Sequence, residues 1–234
     1  MDATTSVDLY AGTRARLTDA VLGFGPEVLA GRVPACPEWT VHDVISHLSG
    51  AAADFVSGNL EGAPRPPWTA VQVDARRSLP TARVVDEWST TTGPALEKLI
   101  LSGDTAHPMI CNPYVDAGTH EADLHGATGI GRPPREIWLA TLNWVFPDPR
   151  PSDDVAGTLS IVTPDGTYQL GSGEPVAEVH TDTYELFRAI FGRRSAAQIQ
   201  SWQWTTPAAA QAWSTELPRL LRRRSTSSTD LPCG

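Results

Sequence analysis

Lysine is almost missing from this chain. Lys98 is the only one in 234 residues, and arginine carries nearly all of the positive charge. The net charge is −9, with no basic stripe. An acidic surface of this kind argues against a nucleic-acid or anionic-membrane partner. Cysteine is also scarce. Cys36, Cys111 and Cys233 are widely spaced and form no CxxC pair. That excludes a disulfide framework and a cysteine zinc knuckle, and it predicts a reducing, cytoplasmic compartment. Long apolar runs are absent too. None approaches the ~18 residues a membrane-spanning helix needs. The N-terminal MDATTSVDLY has neither the basic region nor the apolar core of a signal peptide, so none is expected.

Hydrophobic residues make up 41% of the chain and charged residues 19%, an ordinary globular balance. Eight tryptophans are available to line a cavity or fill a core. Helical periodicity runs through residues 5–23 (Val7, Tyr10, Leu17, Val21). A proline-broken loop over 31–38 follows. Thr40, with Asp43 three residues on, then opens a second helix running to about Leu60. His47 lies on its apolar face, while His42 is expected to be exposed. Residues 61–68 read as a proline-rich connection, and 69–77 as a short helix. A long pattern from Val84 to Ile100 is interrupted by Gly93-Pro94, where proline removes a hydrogen bond and should kink or split the helix.

Asn112-Pro113 then starts a helix that ends at Gly129 and Gly131. This helix is weakly apolar and dense in metal-ligand residue types: Asp116, His120, Glu121, Asp123 and His125. Asp116 and His120 are four apart and share a face, and Asp123 remains on it. Glu121 and His125 form a second frame with the same spacing. Two histidines and a carboxylate suit zinc and other borderline divalent ions and leave a coordination position open. Spacing alone leaves both frames standing. Beyond Pro133-Pro134 comes one more apolar helix, Glu136–Phe146. The period then changes to short β-type runs at 157–162, 167–170 and 176–180, with a turn at Pro164-Asp165-Gly166. Helices are expected after Asp182, after Ser195 and over 207–221. The predicted organisation is a helical bundle over 1–133, a small α/β domain over 134–222 and a disordered tail over 223–234.

Three stretches carry a resemblance. CPEWTVHDVISHLSG (36–50), THEADLHGATGIGRPP (119–134) and DTYELFRAIFGRRSAAQIQSW (182–202) are similar, in this order, to segments of the maleylpyruvate isomerase-like family of mycothiol-dependent enzymes. The resemblance implies an α+β fold: a DinB-like four-helix bundle followed by a small α/β C-terminal domain. It places His47, Asp116 and His120 at the metal ligands, Asp123 behind a ligand as its orienting carboxylate, and Arg193 where it can hold a carboxylate of substrate or thiol. It implies a divalent metal, zinc first, and mycothiol as cofactors. The implied activity is that of an isomerase or S-transferase, in which a metal-bound thiolate adds to a small electrophile, working as a monomer or homodimer. One departure stands out. The family's carboxylate ligand is usually Glu, and here it is Asp116, one methylene shorter. Two other readings use the same bundle: a metal enzyme that activates water rather than a thiol, and a metal-free binder of small molecules.

Overall fold

The computed structural model describes residues 2–103, 113–146 and 156–219. Asn112, Cys111, Cys233 and the tail over 223–234 lie outside the described residues. The chain divides into two compact units, one ending at Pro133 and the other running from Pro134.

The N-terminal unit begins with α1 (Ala3–Leu22), capped by the Asp2 side chain, and a short α2 (Pro26–Leu29). The stretch expected as loop forms a small antiparallel hairpin, β1 (Arg32–Val33) and β2 (Cys36–Thr40). Its prolines are compatible with this because a two-stranded ribbon has only edge strands, where a missing N–H costs little. α3 (Val41–Ser57) starts with the full capping box of Thr40 and Asp43. It buries Val41, Val44, Ile45, Leu48, Ala52 and Phe55, the stripe that also carries His47. α4 (Pro66–Arg76) begins earlier than the sequence suggested, because proline at a first helical position sacrifices no hydrogen bond. His42, expected to be exposed, is half-buried, with Nδ1 2.8 Å from Thr81 Oγ1.

The Gly93-Pro94 interruption is resolved by a π-helical turn. α5 (Thr81–Glu87) passes into a π turn over Trp88–Thr92 and then into α6 (Gly93–Ser102). In that turn the Gly93 N–H donates to Trp88 O, five residues back. The next such bond would run from Pro94 to Ser89 O, but proline has no N–H. Arg14 of α1 supplies the missing donor, with Nη1 3.0 Å from Ser89 O, and it also pairs with Glu97 of α6 at 2.6 Å. A Cβ at Gly93 would collide with Arg14 Cδ and Trp88 O, so the glycine makes room for this repair. Trp88 is fully buried, and its Nε1 donates to Tyr10 O–H at 2.8 Å. Burial pushes the Tyr10 hydroxyl well above its usual range.

α7 (Pro113–Thr128) completes the bundle, packed against α1 and α3. All of its residues from Pro113 to Leu124 are buried, five of them polar or charged: Asp116, Thr119, His120, Glu121 and Asp123. A buried polar group left without a partner costs about 1–3 kcal/mol. A core helix of this composition is therefore organised around its polar contacts.

In the C-terminal unit, α8 (Arg135–Val145) packs on α9 (Thr183–Ile190), with the Trp138 and Tyr184 rings in edge contact. β3 (Ala156–Thr163) and β4 (Gly166–His180) form an antiparallel hairpin in which Leu159 faces Leu170. Leu159 also faces Ala177, so the second half of β4 lies on the other edge of β3. The reversal falls at Gly171 and Gly173, whose φ angles of 100° and 96° suit glycine. β5 (Gln203–Trp204) extends the sheet. α10 (Ala196–Gln200) and α11 (Pro207–Trp213) close the unit, followed by a 3-10 turn over Leu217–Arg219. The last α-helix is thus shorter than the expected 207–221. Among the described residues no helix is long and apolar enough to cross a membrane.

Candidate metal centre

His47 lies in the second turn of α3, and Asp116 and His120 lie one turn apart on α7. The packing of these two helices brings the three side chains together. His47 Nε2 is 3.5 Å from Asp116 Oδ2, and His120 Nε2 is 3.6 Å from Asp116 Oδ1. The two imidazole rings meet edge to face, 5.1 Å between centroids. All three residues are buried, and His47 Nε2 has no hydrogen-bond partner. Asp116 stands in the first turn of α7, where the helix dipole favours a negative charge.

Each imidazole is held from behind by its other nitrogen. His120 Nδ1 is 3.2 Å from Asp123 Oδ2, on the next turn of α7. The Cys36 thiol also approaches that oxygen, at 3.5 Å, and lies 4.0 Å from His120 Nδ1. Cys36, His120 and Asp123 thus form a second group of metal-capable side chains that shares His120 with the first. His47 Nδ1 is 2.7 Å from Gln72 Oε1 on α4. Two tryptophans wall the histidines. The Trp39 ring is 4.9 Å from that of His47 and 5.9 Å from that of His120, and buried Trp68 meets His47 edge-on at 6.4 Å. Cys36 and Trp39, both on β2, are half-buried and so form the partly open side of the cluster.

The second frame points elsewhere. Successive residues turn about 100° around a helix. Glu121 therefore leaves the His47 side and faces α1, where Arg16 Nε and Nη2 grip its carboxylate at 2.6 and 2.9 Å. Thr13 Oγ1 donates to the same group at 3.0 Å. His125 Nε2 is 3.9 Å from Glu121 Oε1, with Arg16 already on that oxygen. Burial pushes the half-buried His125 ring below its ordinary value. Among the described residues no third metal-capable side chain joins this pair.

Arg193 lies in the C-terminal unit, in the turn that ends α9. Its backbone N–H donates to Arg188 O at 2.9 Å and its Nη1 to Phe191 O at 2.7 Å. The neighbouring Arg194 pairs with Glu185 at 2.5 Å. Sequence reasoning missed Gln72, Trp39, Trp68 and Arg16 as parts of these two clusters. The i,i+4 spacing of Trp68 and Gln72 on α4 was visible, but nothing in the sequence showed which helix they face.

Residues 10–109 match the family model of the mycothiol maleylpyruvate isomerase N-terminal domain. That span contains Cys36, His47 and Gln72 and stops before α7. Among curated proteins no sequence matches the chain. Two solved structures share the fold. The crystal structure of mycothiol-dependent maleylpyruvate isomerase aligns with a TM-score of 0.55 at 13% identity, covering 83% of this chain and 90% of that one. A histidine-to-alanine mutant of mycothiol-dependent maleylpyruvate isomerase aligns with a TM-score of 0.53 at 10% identity, covering 88% and 94%. Over residues 10–109 the chain thus matches the N-terminal domain model of mycothiol maleylpyruvate isomerase, and over most of its length it shares the fold of these two structures.

Proposed function

We propose that this protein is a mycothiol-dependent isomerase of a small electrophilic acid, of the maleylpyruvate kind, and that its bundle holds a divalent metal, zinc first, on His47, Asp116 and His120. The observation that carries the metal reading is His47 Nε2. It is buried, lacks a hydrogen-bond partner, and faces a carboxylate and a second imidazole. Zinc bonds of about 2.0–2.1 Å at tetrahedral angles separate neighbouring ligand atoms by roughly 3.3 Å. His47 Nε2 is 3.5 Å from Asp116 Oδ2 and His120 Nε2 is 3.6 Å from Asp116 Oδ1, close to that spacing though on different oxygens of the carboxylate. This proximity supports Asp116 as the carboxylate ligand despite its shorter side chain.

A metal held by His47, Asp116 and His120 would supply positive charge of the kind that keeps a thiol as thiolate near neutral pH. Mycothiol would supply a sulfur nucleophile suited to reversible addition at an electrophilic C=C, where the bond is single, and so able to rotate, only while the sulfur is attached. The residues of the chain do the rest. Asp123 accepts the Nδ1–H of His120 and so presents its Nε2 to the metal, the usual division of labour behind a ligating histidine. Trp39 and Trp68 limit water around the imidazoles. The resemblance makes Arg193 the candidate for a carboxylate of substrate or thiol, the partner an arginine suits best.

The test is an isomerisation assay on maleylpyruvate with purified protein, with and without mycothiol, before and after chelation. Turnover is expected only with both thiol and metal. Equal turnover without thiol would move the protein to water-activating chemistry. Arg193→Lys is expected to raise KM for the acid more than it lowers kcat.

A further inference from the structure

Gln72 buries its amide between a carboxylate and an imidazole. Its Nε2 lies 2.7 Å from Asp54 Oδ2, and its Oε1 lies 2.7 Å from His47 Nδ1. The other Asp54 oxygen takes the Asn59 amide at 3.0 Å. A carboxylate accepts hydrogen bonds and has none to give. Asp54 therefore dictates that the NH₂ end of Gln72 faces it. The carbonyl end must then face His47, and a carbonyl needs a donor. Nδ1 must carry the proton, and in the neutral ring Nε2 is left as the bare lone pair. That lone pair points at Asp116 and His120.

We propose that Asp54 and Gln72 act as a positioning relay that selects the Nδ1–H tautomer of His47 and so makes Nε2 a ligand. The purpose of the relay rests on the metal reading above; the tautomer itself does not. The two histidines of the site are then set in different ways: His120 by a carboxylate in direct contact, His47 by a carboxylate acting through a neutral amide. Gly50 on α3 makes the relay possible. A Cβ there would stand 2.5 Å from Gln72 Cβ, so only glycine lets α4 come close enough for Gln72 to reach His47.

The test is a charge swap along the relay, read in the full chain by side-chain ¹⁵N NMR of His47 without metal and by Zn²⁺ affinity from chelator competition. In the wild type His47 is expected in the Nδ1–H form. Asp54→Asn frees the Gln72 amide to turn, and should mix the tautomers and weaken Zn²⁺ by at least about tenfold, the usual scale for losing an outer partner. Gln72→Glu alone sets two carboxylates face to face and should weaken Zn²⁺ similarly. The double variant D54N/Q72E restores the polarity, since Asn at 54 donates to Glu at 72 and Glu at 72 accepts from Nδ1. It should recover both the tautomer and most of the affinity, which a merely structural role would not predict. A double variant no better than its weaker parent, or wild-type His47 in the Nε2–H form, overturns the proposal. A wild type that binds no Zn²⁺ but holds the Nδ1–H tautomer overturns the metal reading alone.

Discussion

Arg16 reaches from α1 to grip the buried carboxylate of Glu121 through two nitrogens, at 2.6 and 2.9 Å. This pair separates the two acid–histidine frames of α7. One frame looks at His47 on α3, the other at a fixed cation on α1. A carboxylate that already has a bidentate guanidinium and a threonine hydroxyl has its charge and lone pairs largely satisfied. The partners, rather than the spacing, distinguish Asp116 and His120 from Glu121 and His125.

The Arg16–Glu121 pair predicts an asymmetric response. Arg16→Ala strands a fully buried carboxylate and should cost about 3 kcal/mol or more, whereas Glu121→Gln leaves Arg16 its partial exposure and should cost about 1–2 kcal/mol. Urea unfolding of the two variants checks the order.

The repair of the π turn makes a second contrast. Gly93→Ala drives a methyl group into Arg14 and Trp88 O and should destabilise by about 1–3 kcal/mol. Gly126→Ala, on the exposed side of α7 with nothing near its Cβ, should stabilise by about 0.5–1 kcal/mol. Thermal melts of both should move in opposite directions.

His125 gives a pH dependence. Burial, the largest effect on it, lowers its folded-state value below the ordinary 6.5. The unfolded chain therefore binds the proton more readily, and stability from this residue is full above pH 6.5 and lost as pH falls below it. His125→Gln should flatten the dependence of unfolding free energy on pH in that window. An unchanged slope would show that the ring titrates alike in both states.

Much of the bundle was legible because its signals are local. Thr40 and Asp43 form the capping box the sequence announced, and the stripe through Val44, Leu48 and Phe55 is the buried face of α3. Gly93-Pro94 marked a break, but its form depended on Arg14, 79 positions before Gly93, so it was not local. Residues 31–38 read as loop because proline hides strand character in a two-stranded ribbon. The same limit governed the site. Asp116 and His120 share a face by spacing, but that this face meets His47, that Gln72 backs His47 and that Arg16 takes Glu121 are all products of helix packing.

The proposed metal sits on His47, Asp116 and His120. Its most direct test is the zinc content of purified wild type, His47→Ala, His120→Ala and His125→Ala. About one zinc per chain is expected in the wild type and in His125→Ala, and loss of most of it in the other two variants. Full occupancy in both His47→Ala and His120→Ala, or loss confined to His125→Ala, would contradict it.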